Sequence, residues 1–279
     1  MKKLILISSL LLVAAILASA QQTDFPKLAG PYLGQKPPGT TPEIFAPGIV
    51  STPDDREFCA SFSPDGTEFY FNRGMTVLVC RWEKEGWTAP EPASFNGSYR
   101  NHEAHLAFDN ARMFFGSSRP PQGYGIWLTE RTADGWSQPR KIWDGMYATS
   151  SKGGNIYFGV EAPSPAGFVR TRPVDGRYEE PVRQAVGFGD SRPAETSFFH
   201  PAIAPDEAYI VFDDNSGLYV SFRGADGSWG NAVSLGDILK ERAAVIPSVS
   251  PDGEYLFFAA HDDLYWVSTR ILEKLRPKE

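Results

Sequence analysis

Residues 60–71 read Ala60-Ser-Phe-Ser-Pro-Asp-Gly-Thr-Glu-Phe-Tyr-Phe71. A short strand runs into a Ser-Pro-Asp-Gly turn, where Pro presets φ, Asp bonds the local backbone and Gly accepts positive φ. An aromatic-rich strand then leaves the turn. The same grammar returns at Ala104-His-Leu-Ala-Phe-Asp-Asn-Ala-Arg-Met-Phe-Phe115 and, more weakly, at Tyr147-Ala-Thr-Ser-Ser-Lys-Gly-Gly-Asn-Ile-Tyr-Phe158. It returns again at Pro201-Ala-Ile-Ala-Pro-Asp-Glu-Ala-Tyr-Ile-Val-Phe212 and Pro247-Ser-Val-Ser-Pro-Asp-Gly-Glu-Tyr-Leu-Phe-Phe258. The turn positions Asp65, Asp109, Lys152, Asp206 and Asp252 are 44, 43, 54 and 46 residues apart. That period is one four-stranded propeller blade.

A second landmark follows each of the first four turns. Asp-Gly or Glu-Gly hairpin signals precede Trp87, Trp136, Tyr178 and Trp229, which open a fourth strand. These aromatics are expected to pack between blades, and the turn aspartates to bond backbone. The fifth unit lacks a fourth strand, and Glu43-Ile-Phe-Ala-Pro-Gly-Ile-Val50 resembles one. The expected fold is therefore all-β: a five-bladed propeller of four-stranded antiparallel blades, the last closed by the N-terminal strand, which leaves no long open sheet edge. A sixth blade has no room, because the 54-residue interval is too short for two units.

Ahead of the propeller, Lys2 and Lys3 precede an apolar run over residues 4–17 and the small-residue site Ala18-Ser-Ala20. This pattern predicts a cleaved secretory signal over residues 1–20 and a periplasmic or secreted chain. Residues 21–40 read as a proline- and glycine-rich entry segment, and 41–279 as one propeller domain. The formal charge of −7 becomes −9 without the two leader lysines. An acidic chain argues against nucleic acid as a partner, and no later segment is apolar enough to insert in a membrane. A monomer is expected. Cys59 falls on a first strand and Cys80 on a third, roughly 9–10 Å apart across the intervening strand, too far for a disulfide.

Strand alternation sorts the loops. The Asp-Gly turns share one end, while the second-to-third and blade-to-blade loops share the other. The second end collects most of the irregular polar residues, and from it Arg56, Arg73, His102, Glu103, Arg119, His200 and His261 are the binding candidates. Glu103 and His200 occupy one repeat column, as do Cys59 and Ile246, at the mouth of the central channel. His200, His261 and Asp262 are the alternative metal set, since imidazole and carboxylate are ordinary ligands. His102 and His105 are three apart on a strand, face opposite sides and should not share an ion. No cofactor motif is present and none is expected.

The Ser-Pro-Asp-Gly turns, the stretch Ser117-Ser-Arg-Pro-Pro-Gln-Gly-Tyr-Gly-Ile-Trp127 and the closing Asp263-Leu-Tyr-Trp-Val-Ser-Thr-Arg-Ile-Leu-Glu-Lys-Leu275 resemble the TolB-like, or WD-repeat-like, β-propellers of bacteria. The resemblance spans roughly residues 40–270. It departs from the pattern in the second and third units, which lack the turn Pro, and in the third, which has Lys for Asp. It implies a periplasmic or secreted binding scaffold, and it transfers no catalytic residue. The charged, aromatic-rimmed loop end points to a protein or glycan of the cell envelope as the ligand. The alternative function is an enzyme at the mouth of the central channel: a propeller hydrolase acting on glycosides, with Glu57, Glu103 and Glu195 as its candidate carboxylates, or a metal-dependent enzyme.

Overall fold

The computed structural model describes residues 25–189, 196–241 and 243–277. The leader, and with it the expected cleavage site, lies outside these residues, as do Glu195, Arg242 and the last two positions.

The repeat folds as read. Five antiparallel sheets form the five blades. Their innermost strands are Glu57–Phe62, Asn101–Leu106, Met146–Ser150, Phe199–Ile203 and Val245–Val249, and second and third strands follow in chain order within each blade. The turn aspartates bond locally, as expected. Asp65 accepts from Thr67 N and the hydroxyls of Ser63 and Thr67, and Asp252 accepts from Glu254 N and Ser250 Oγ. The third blade, with Lys152 in place of Asp, borrows a carboxylate instead. Glu207 of the next blade accepts from Ser151 Oγ, Asn155 Nδ2 and Tyr157 OH.

The fourth strands are shorter and more broken than the sequence reading implies. In the first blade Gly86–Trp87 pairs with the end of Thr76–Glu83, and after Pro90 the chain pairs with it again through Glu91–Pro92. The second blade repeats this with Gly135–Trp136 and Arg140–Trp143 on either side of Pro139. Proline has no N–H for the ladder, so the strand breaks there. The landmark aromatics are packing residues: Trp136 meets Phe95 edge-on with the Arg131 guanidinium over its ring, and Trp229 meets Tyr157.

The ring closes through the N-terminal strand. Glu43 and Ile44 pair with Trp266 and Tyr265, and Phe45 N donates to Leu264 O. Glu57 and Arg73 fix the loop that follows. The Glu57 carboxylate accepts from Thr52 N, Thr52 Oγ1 and Arg73 Nε, while Arg73 Nη2 donates to the carbonyls of Ile49 and Val50. The entry segment packs onto the propeller. Leu33 is buried, Tyr32 packs edge-on against Phe62 and Tyr255, and Trp87 Nε1 donates to Gly30 O.

Cys59 and Cys80 are both buried free thiols. Alkylation of the denatured protein without reductant should modify both. A protein that takes up label only after reduction would contradict the structure.

Candidate functional site

All five innermost strands carry a bulge at the same place. Register shifts fall between Phe58 and Ser61, His102 and His105, Met146 and Ala148, Phe199 and Ala202, and Val245 and Ser248. The bulged residues are Cys59, Glu103, Tyr147, His200 and Ile246, with φ of 59°, 58°, 48°, 48° and 53°. Left-handed backbone is uncommon without glycine and costly for a β-branched residue such as Ile246, so a fivefold recurrence is a property of the architecture. Two of the bulges are braced from the preceding blade. Asn72 Oδ1 accepts from Glu103 N at 2.8 Å, and Asp213 Oδ2 from Ile246 N at 2.9 Å.

The bulge turns these five side chains toward the propeller axis, where they meet across it. His200 of the fourth blade places Nε2 3.4 Å from Glu103 Oε1 of the second. Tyr147 OH of the third blade donates to Pro247 O of the fifth. Neither pair joins adjacent blades, so side chains cross the channel and form a floor. Asp213, wholly buried, accepts from His200 Nδ1 at 2.7 Å. His102 Nδ1 lies 3.4 Å from Glu103 Oε2, and its ring stacks on Tyr124 at the loop end. His102 lies over Gly116, where a Cβ would stand 2.4 Å from its Cε1, so a larger residue there would push the ring away.

These contacts fix charge. Burial disfavours the His200 imidazolium, but hydrogen bonds and charge from Asp213 and Glu103 outweigh it and lift its pKa to about 10. Burial likewise works against the Glu103 carboxylate. The His102 and His200 rings that face its two oxygens outweigh that too, holding its pKa below the ordinary carboxylate range. Burial pushes the Cys59 thiol and the Tyr147 phenol well up, which keeps both protonated. His105 points elsewhere. Its Nε2 accepts from Ser150 N at 2.9 Å, and burial lowers its pKa to about 4.

The candidates thus divide. His102, Glu103 and His200 come together. Arg119 is turned inward: it is 6% exposed, its guanidinium donates to the carbonyls of Phe95 and Asn96 and to Asn101 Oδ1, and it sits against Tyr99, Phe115 and Trp127. Glu57 is fully buried in the closure clamp with Arg73, so neither is placed as a site residue. Arg56 is exposed over Phe58. His261 is exposed and pairs with Glu241, while His200 pairs with Asp213 and Glu103; Asp262 uses its carbonyl to accept from Glu57 N. Among the described residues no group of three or more His, Cys, Asp or Glu is arranged to hold a metal ion.

Two floor residues, Tyr147 and Asp213, were not among the candidates, although the sequence places Asp213 at the same loop end. The third-blade turn is one residue shorter: Ser151 N bonds Asn155 O where Ser63 N bonds Glu68 O. Aligning that unit on Phe158 therefore shifts its innermost strand, which hides Tyr147 from the column of Glu103. Asp213 had a usable signal. It follows the closing Phe of its unit, in the column of Asn72, Gly116, Gly159 and Ala259.

No family model matches the sequence, and no curated protein does. Solved structures do match. A TolB-type protein from Agrobacterium tumefaciens superposes with a TM-score of 0.52 at 17% identity, over 75% of this chain and 71% of that one. The RS223 β-xylosidase gives 0.52 at 13% identity, over 81% and 94%. TolB from Acinetobacter baumannii gives 0.49 at 12% identity over 77% of this chain, which spans a little over half, 55%, of that protein. Likeness at these identities is likeness of fold, and that fold is the β-propeller.

Proposed function

We propose that the chain is an extracytoplasmic binding module whose loop end takes up a protein or glycan of the cell envelope. One observation carries this reading: the ionisable groups at the channel mouth hold one another in fixed charge states. A glycosidase needs two carboxylates of matched and different pKa on either side of a bond. Here Glu103 is held ionised and is no proton donor. Asp213 is buried with both oxygens engaged, by Asn215 N and by His200 and Ile246 N, and Glu57 belongs to the closure. Around this static floor stand two half-exposed aromatics, Tyr99 at 44% and Tyr124 at 46%, the kind of amphipathic surface that contacts partners at low entropic cost.

The test pairs two assays on the mature protein. Cross-linking to solubilised envelope and binding to an envelope-glycan array should capture a ligand, and Tyr99→Ala with Tyr124→Ala should reduce capture at least tenfold. Nitrophenyl glycosides should not turn over above background. Saturable hydrolysis lost in Glu103→Gln would replace the binding reading with the hydrolase.

A further inference from the structure

The Glu103 carboxylate is poorly satisfied. Each oxygen lies 3.4 Å from a histidine nitrogen, Oε1 from His200 Nε2 and Oε2 from His102 Nδ1, and Oε2 is buried with no hydrogen-bond partner. An ionised oxygen left without a donor in a buried site is costly. The floor around it is net acidic, since His200 sits between two carboxylates, Glu103 and Asp213. Above it, Tyr124 stacks on His102 and lines a cleft whose other walls include Met146, Val160 and Glu161.

Resting on the binding reading above, we propose that this end of the channel is a pocket for the primary ammonium group of a lysine side chain carried by the partner protein. The ammonium would donate to Glu103 Oε2, and its methylenes would lie along Tyr124, Met146 and Val160. Three features select this class. Oε2 has essentially no accessible surface, so the ligand must reach it on a slender arm after His102 and Tyr124 give way. An amino sugar carries its nitrogen directly on a ring and cannot do this. Oε2 is the buried oxygen without a hydrogen-bond partner, which suits a point-charge donor. A guanidinium gains its advantage from bidentate pairing with both oxygens, and the His200 ring faces the second at 3.4 Å. Finally, the aromatic face of Tyr124 beside the entry favours a cation.

The experiment titrates the mature protein with Nα-acetyl-lysine N-methylamide, n-butylammonium, the arginine analogue and glucosamine, read by calorimetry and by the ring resonances of the histidines. The lysine analogue and butylammonium should saturate one site, shift the His102 and His200 resonances but not those of His261, and bind at least tenfold tighter than the other two. Glu103→Gln should weaken that binding at least tenfold. The resonance shifts are read on the wild-type protein, so the outcome stands even if the variant fails to fold. Absence of saturation, or saturation that leaves His102 and His200 unmoved, overturns the proposal. So does preference for glucosamine or the arginine analogue, or stoichiometric uptake of Zn2+ or Ca2+ that blocks the amine. Envelope capture that depends on Tyr99 and Tyr124 while the amines fail would leave the binding module standing and sink the lysine pocket alone.

Discussion

A chain lacking residues 42–50 should not fold. Phe45 has no exposed surface and packs against Phe62, Phe69, Phe257 and Trp266, with ring centroids 5.0–6.1 Å away. Truncating a buried Phe to Ala costs about 3–5 kcal/mol, set against a total stability of about 5–15 kcal/mol for a typical domain. The deletion removes more than this ring. Val50 is also fully buried, the ladder to Tyr265 and Trp266 goes, and the strand Asp263–Ser268 becomes an open edge. The Glu57–Arg73 clamp loses the carbonyls of Ile49 and Val50. Far-ultraviolet circular dichroism and urea titration decide the matter. Phe45→Ala alone should lower the unfolding free energy by about 3–5 kcal/mol, and the deletion should abolish the cooperative transition. A deleted chain that melts like the mature protein would mean that the ring does not depend on this closure.

That closure was readable because it rests on local signals. A missing fourth strand at one end and a strand-like segment at the other are both visible in the residues. So is each turn, since Asp65 or Asp252 bonds its own neighbours and needs nothing from the rest of the fold. The site is a different kind of object. Glu103 and His200 meet across the axis only because a bulge in each innermost strand turns one residue inward, and a bulge is a register event with no fixed residue type: Cys, Glu, Tyr, His and Ile all occupy it. Four of the floor residues, Cys59, Glu103, His200 and Ile246, were still placed in one column, because their units keep turns of equal length. Tyr147 was lost to a single missing turn residue. Arg119 and Glu57 lie deeper than their sequence suggests. A charge in or beside a loop reads as solvent-facing, yet in tight blade connections the carbonyls of Phe95, Asn96, Ile49 and Val50 need donors. An arginine supplies several at once, and Glu57 holds one such arginine in place.

The stability of the folded protein should peak near pH 6.5 and fall on both sides, with one histidine responsible for each limb. The pKa of His200 rises from an ordinary 6.5 to about 10 on folding. Its contribution is therefore fully present below pH 6.5 and is lost as pH climbs toward 10. His105 moves the other way, from 6.5 to about 4. Its ring must stay neutral to accept from Ser150 N, so its contribution holds above pH 6.5 and declines as pH drops toward 4. Each group carries a slope of about 1.4 kcal/mol per pH unit over its range. The clean windows are pH 5–6.5 and 6.5–8.5. Below the first, the depressed carboxyl of Glu103 adds a further loss, and above the second the raised thiols of Cys59 and Cys80 begin to do so. Urea unfolding at half-unit pH steps reads the slopes directly. His105→Gln should flatten the acid window and leave the alkaline one, and His200→Gln should do the reverse. Asp213→Asn should cost about 3–5 kcal/mol, as expected when one partner of a buried ion pair is removed, and should also flatten the alkaline window, because Asp213 is the stronger of the two partners that keep His200 charged. If the alkaline slope survives in both His200→Gln and Asp213→Asn, the charge on the channel floor is not held by the bridge from Asp213 through His200 to Glu103.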